Sequence, residues 1–189
     1  MIEIGLQWDF LGDKVDLDAT IIMIDDLGSI VDAVYYNKLV SDCGGINHSG
    51  DNRDGAKDGF DELIKIELAK VNFKANYLAI LINSYNGEGL DKVETASVSV
   101  MSNGTKIHES SIGGRNNSNA SMAGIIYRKN GVWQIMNSTD KGPGKVFTEC
   151  EDLIKANLVK CGFDPVILAE TRGWDAKNAK KFVLKKDQC

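Results

Sequence analysis

Histidine is scarce in this chain, and what little there is sits badly for catalysis. Only His48 and His108 occur in 189 residues. They form no pair with zinc-site spacing, and no His-Glu-x-x-His stretch is present. The four cysteines, Cys43, Cys150, Cys161 and Cys189, contain no Cys-x-x-Cys pair. That removes the usual zinc-ribbon and redox signatures. No Gly-x-Ser-x-Gly elbow marks a nucleophile. Lys141-Gly142-Pro143-Gly144-Lys145 has the look of a phosphate loop but lacks its first Gly, and Val146 stands where Ser or Thr should bind magnesium. It reads as a flexible turn. A basic excess is also missing: the net charge is −5, so nucleic acid is not the expected partner. No apolar run reaches the length of a membrane span. Met1-Ile2-Glu3-Ile4 does not begin like a secretory signal, so reduced thiols and a cytoplasmic location are expected. The expectation is a non-enzymatic protein.

What the chain does have is acid, gathered in one place. Gly50–Glu62 holds five carboxylates, Asp51, Asp54, Asp58, Asp61 and Glu62, together with Asn52, between glycines. Leu63-Ile64-Lys65-Ile66-Glu67-Leu68 follows and largely alternates, so the acidic loop feeds a strand. A second acidic pair, Asp16-Leu17-Asp18, enters the apolar run Ala19-Thr20-Ile21-Ile22-Met23-Ile24. Carboxylates this close repel, and water, salt, basic neighbours or a cation must offset them. Calcium takes six to eight oxygens, and Asp, Asn and Gly suit it. The plainer reading is that Asp, Asn and Gly are turn residues. Two acidic loop-to-strand junctions favour two halves of a cation site. Asp51–Glu62 has the length of an EF-hand loop. However, Arg53, Gly55 and Ala56 break that pattern, and a strand follows where a helix should. Any site must be assembled from several loops of a β-domain.

The rest of the chain supports that β-domain. Candidate strands are Glu3–Trp8, Leu17–Ile24, Ile30–Asn37, Leu63–Leu68, Tyr77–Ser84, Thr95–Met101, Lys106–Ser110, Met122–Lys129 and Val132–Asn137. Asp26-Leu27-Gly28, Ser102-Asn103-Gly104 and Lys129-Asn130-Gly131 read as hairpin turns. Ile21–Ile24 and Leu78–Ile82 are continuously apolar, as central strands covered on both faces would be. Ala96–Val100 alternates like a half-exposed strand. Many short strands with this spacing suggest a sandwich or barrel. From Val146 to Cys161 the apolar residues fall at helical spacing, with Gly162 as a stop. Such a helix is expected to cover an open sheet face. Phe163–Leu168 reads as a last strand. Asp175 reads as the cap of a helix over Ala176–Leu184, whose lysines Lys177, Lys180 and Lys181 form a basic face. That face is an expected solvated surface, with a protein partner or an acidic membrane surface as the functional alternative. The division expected is a domain over 1–163 and an extension over 164–189.

Several pieces, in order, resemble one family. They are Gly5-Leu6-Gln7-Trp8-Asp9, Asp16-Leu17-Asp18-Ala19, Tyr35-Tyr36-Asn37, His48-Ser49-Gly50-Asp51-Asn52 and Asp58-Gly59-Phe60-Asp61-Glu62. Ile82-Asn83-Ser84-Tyr85-Asn86 and Gly124–Trp133 continue the match, the latter similar to a Leu-Tyr-Arg-x-x-Gly-x-Trp hairpin. Together they resemble the TerD family of tellurium-resistance and stress-response proteins, some described as cyclic-AMP-binding. The resemblance implies a sandwich of two antiparallel sheets with a few helices, mostly C-terminal. It implies calcium (Ca2+) held by acidic loops. Carried over by motif, the ligands are Asp16, Asp18, Asn37, Asp51, Asn52, Asp58, Asp61 and Glu62, with Asp9 second in rank. The expected protein binds calcium, uses its ordered loops to meet a partner, and acts in stress response. The alternative is a cyclic-nucleotide or other small-molecule binder, for which only Gly113-Gly114-Arg115 and the Gly142–Lys145 turn offer a phosphate cradle. Gln7 replaces a family Gly, and Lys57 stands where acid is frequent, opposing an ion by like-sign repulsion.

Overall fold

The computed structural model describes residues 1–10, 15–51, 59–113 and 118–164. Its strands, in chain order, are β1 Ile2–Phe10, β2 Leu17–Ile24, β3 Ile30–Val34, β4 Ile46–His48, β5 Glu62–Ile66 and β6 Tyr77–Ser84. They continue with β7 Val93–Ser102, β8 Thr105–Ser111, β9 Ala120–Lys129, β10 Val132–Asn137 and β11 Lys141–Gly142. A helix, α1, follows over Glu151–Lys160. One sheet runs β4-β5-β1-β7-β8 and the other β10-β9-β6-β2-β3, with β11 also on β9. Their pairings are antiparallel throughout.

The residue pattern explains this arrangement. Ile4, Leu6 and Trp8 of β1 alternate inward and meet Ile64, Ile66, Val98 and Val100 in the core between the sheets. β2 and β6 are buried on both sides, as their unbroken apolar runs predict. Ile21, Met23, Ile80 and Ile82 face the inter-sheet core. Ile22, Ile24, Ala79 and Leu81 face a second core beneath Ile154, Leu158 and Phe163. So α1 covers the outer face of the second sheet. It ends as expected: Gly162 takes φ 90° and Phe163 N–H donates to Leu158 O, closing the last turn. At Asn103-Gly104 and Asn130-Gly131 both residues take positive φ, which is the twist a two-residue hairpin needs. Gly124 sits at a bulge of β9, with φ 153°, where a Cβ would come 2.7 Å from Met136 O.

Some expectations need correction. The strand expected over Ile30–Asn37 stops at Val34, because Tyr35 and Lys38 close a tight backbone turn. The strand expected to reach Leu68 stops at Ile66, and Lys70 N–H turns back to Glu67 O. Ser99 is buried rather than half-exposed, its hydroxyl donating to Glu109 at 3.1 Å. Lys141–Gly142 is a strand on β9, not a free turn, and Gly144 packs against Cys150. The long helix expected from Val146 begins with a 3-10 turn over Phe147–Glu149 before α1. The strand and helix expected beyond Asp164 lie outside the described residues, apart from Phe163, which stacks edge-on against Tyr77.

The described cysteines are free thiols of unequal exposure: Cys150 and Cys161 are buried and Cys43 is not. Burial pushes Cys161 from the ordinary 9.0 up to about 11, slightly offset by Lys160. A group held protonated by the fold stabilises it fully below the unfolded value and loses that contribution as pH rises through the folded one. Urea unfolding of the wild type should therefore show a loss of stability between about pH 9 and 11 that Cys161→Ala lacks. At neutral pH, mass mapping of alkylation should find Cys43 modified well before Cys150 or Cys161.

Candidate metal centre

Three strand ends converge on one side of the sandwich. Trp8, near the end of β1, buries its indole and donates Nε1–H to Val15 O at 3.0 Å. That pins the residue before Asp16. From the other side Tyr85 N–H donates to Asp16 O at 3.0 Å. Two residues on, Asp18 lies on β2 opposite Asn83 of β6. Leu17 and Ala19 face the inter-sheet core, so strand alternation turns Asp18 to the other face.

Asp51 comes from the first sheet. It follows β4, and the turn before it is tied down at each residue. Ser49 N–H donates to Leu63 O at 2.8 Å, and Leu63 N–H returns to Ser49 Oγ at 3.0 Å. Gly50 N–H donates to His48 Nδ1 at 3.0 Å, and Gly50 takes φ 108°, which glycine tolerates.

The outcome is that Asp16, Asp18 and Asp51 offer carboxylate oxygens that all lie within 4.8 Å of one another. Calcium–oxygen bonds run about 2.3–2.6 Å, so two ligands of one ion sit at most roughly 4.6–5.2 Å apart. The cluster fits that limit, and its donors are the hard oxygens calcium prefers. It opens on a cavity of about 330 Å³ lined by Asp16, Asp18, Tyr36, Asp51 and Tyr85. The Tyr36 and Tyr85 rings meet edge-on at 5.2 Å. A hydrogen bond with Tyr85, then burial and nearby charge including Asp18, raise the Tyr36 phenol above its ordinary value.

The other described carboxylate candidates stand outside this group. Asp61 and Glu62 are buried, each 1% exposed, and hold backbone amides. Asp61 Oδ2 accepts from Trp8 N–H at 2.9 Å, and Glu62 Oε2 accepts from Ala19 N–H at 2.8 Å. Neither belongs to the three-carboxylate group among the described residues. Asn37 sits exposed in the Tyr35–Lys38 turn. Asp9 is exposed and accepts from Thr95 Oγ1 at 2.9 Å. Asn52 and Asp58, with Arg53 and Lys57, lie outside the described residues. Of the phosphate-cradle candidates, Gly113 O accepts from Lys141 Nζ at 2.7 Å, while Gly114 and Arg115 lie outside the described residues.

Residues the sequence reading passed over matter most here. His48, part of a family-like motif in the sequence, has a fully buried side chain on β4, 3.3 Å from Glu62. Its signal was there: Ile46-Asn47-His48 alternates, and Ile46 is core. Trp8, Tyr36 and Tyr85 belong to the family-like motifs, and only the fold brings them to the site.

The TerD domain model matches residues 1–144. The chain is 37% identical over 107 residues to the tellurium resistance protein TerZ of Serratia marcescens, covering 50% of this chain and 55% of that protein. The matched part thus spans only about half of TerZ. It is 29% identical to general stress protein 16U of Bacillus subtilis, over 70% of this chain and 76% of that one. The crystal structure of a TerD homologue from Streptomyces coelicolor superposes with a TM-score of 0.69 at 19% identity, over 76% of this chain and 90% of the other. That likeness shows the two-sheet fold, and the family match over most of the chain shows the kinship: the protein belongs to the TerD family.

Proposed function

We propose that this protein is a calcium-binding, non-enzymatic stress-response module of the cytoplasm, related in role to the tellurium-resistance proteins it resembles. The observation that carries the reading is the convergence of Asp16, Asp18 and Asp51 from two sheets onto one open cavity. A divalent ion there offsets the mutual repulsion of the carboxylates and ties the second sheet to the acidic loop of the first. The ordered loops around it are the surface offered to a protein partner. No helix among the described residues is long and apolar enough to cross a membrane.

Binding to the folded state alone stabilises it by mass action, by about 2.7 kcal/mol when calcium stands at 100 times its dissociation constant. For a chain of this size that corresponds to a melting rise of about 5–10 °C over the protein in excess chelator. Magnesium, which prefers fewer protein ligands, should give much less. Asp16→Ala and Asp51→Ala should each abolish the calcium response. A flat calorimetric titration with melting unchanged by chelator sinks this reading.

A further inference from the structure

Beneath the carboxylate cluster lies a buried polar connection that joins its two halves. Gly50 N–H donates to His48 Nδ1 at 3.0 Å. The other ring nitrogen, Nε2, stands 3.3 Å from Glu62 Oε2. That same oxygen accepts Ala19 N–H at 2.8 Å. Both side chains are fully buried. So a run of close polar contacts leads from the residue before Asp51 to the residue after Asp18, hydrogen-bonded at both ends, with His48 Nε2 and Glu62 Oε2 within 3.3 Å but not hydrogen-bonded between them.

The fold explains why the path is needed. β3 pairs only with Ile21–Ile24 of β2, so Leu17–Thr20 have no strand on that flank. Glu62, at the first position of β5, supplies the missing acceptor from the opposite sheet. The tautomer follows from the partners. A ring nitrogen that accepts an amide N–H carries no proton, which leaves the ring proton on Nε2, on the Glu62 side. His48 thus braces the Gly50 turn against Glu62, and Glu62 braces β2.

We propose that His48 and Glu62 are positioning residues that fix the gap between Asp51 and the Asp16–Asp18 pair before any ion arrives. The proposal rests on the calcium reading for its consequence, while its geometry stands on the contacts among Gly50, His48, Glu62 and Ala19. Groups that orient ligands without touching the metal are typically worth 10–100-fold in affinity. His48→Ala removes the acceptor for Gly50. His48→Asn restores it, since an Asn side-chain oxygen reaches the amide two residues on. Glu62→Gln keeps an acceptor for Ala19 but no longer offers a carboxylate to the His48 ring.

The test has two arms. In chelator, amide exchange by NMR should show Gly50 protected in the wild type and His48→Asn, and unprotected in His48→Ala. Calorimetry at a temperature where all variants are folded should show calcium binding weakened about 10–100-fold in His48→Ala and largely recovered in His48→Asn. Glu62→Gln should fall between. Gly50 unprotected in the wild type, or wild-type calcium affinity in His48→Ala, overturns the proposal. A merely structural His48 would lower the melting temperature and leave affinity unchanged. If the wild type takes no calcium, the metal reading fails and the Gly50 arm alone still decides whether His48 holds the turn.

Discussion

Asp61→Ala should lower the unfolding free energy by about 2–4 kcal/mol in excess chelator, where no metal can contribute. β1 pairs with β5 only as far as Leu6 opposite Glu62. Trp8 lies beyond that point, so its amide has no strand partner on this flank, and the Asp61 carboxylate takes it at 2.9 Å. Asp61 is 1% exposed, so water cannot replace the lost acceptor. A bond to a charged acceptor is worth about 1.5–3 kcal/mol, and leaving a buried donor bare adds to the cost. Asp61→Asn keeps a carbonyl oxygen and should lose about half as much. Urea unfolding in chelator measures both. The resemblance implies a metal ligand at Asp61, and the structure shows its carboxylate accepting a backbone amide. An Asp61→Ala variant of unchanged stability in chelator that no longer binds calcium would instead favour the ligand role that the resemblance implies.

This case shows where the sequence was readable. Alternation and unbroken apolar runs located β2, β6 and β10 to the residue, because each is long enough to show its period. The Asn-Gly turns marked two hairpins. β4 and β11 were missed because three and two residues are too few to show a period. The acidic stretch feeds a strand as expected, but that strand begins at Glu62, one residue before the expected Leu63. Glu62 in fact shares the face of Ile64 and Ile66, so the period-two rule already pointed it inward. Charge masked that: a carboxylate at the head of a strand looks solvated until the tertiary fold supplies Ala19 N–H. The convergence of Asp16, Asp18 and Asp51 could be suspected from two acidic junctions. No spacing could reveal that Tyr36 and Tyr85 wall the same cavity, since they lie on different strand ends.

Trp8 is where frame and site meet, and its replacement carries the largest expected cost. Its side chain is 1% exposed and packs in the inter-sheet core. Trp8→Ala should cost about 3–5 kcal/mol, enough to consume much of a typical domain's stability. Trp8→Phe is the more informative change. It keeps most of the apolar contact but removes the Nε1–H that Val15 O accepts. That loss alone is worth about 1–2 kcal/mol. Val15 directly precedes Asp16, so the same change loosens one carboxylate of the cluster. Trp8→Phe should therefore lose calcium affinity in excess of what its stability loss explains, by roughly the 10-fold that an orienting group contributes. A second core change of similar cost in the other core, Leu158→Val on the buried face of α1, controls for general destabilisation. If calorimetry gives both variants wild-type affinity, the indole serves packing alone. If only Trp8→Phe weakens binding, the tryptophan of β1 holds the first acidic junction in place, as His48 holds the second.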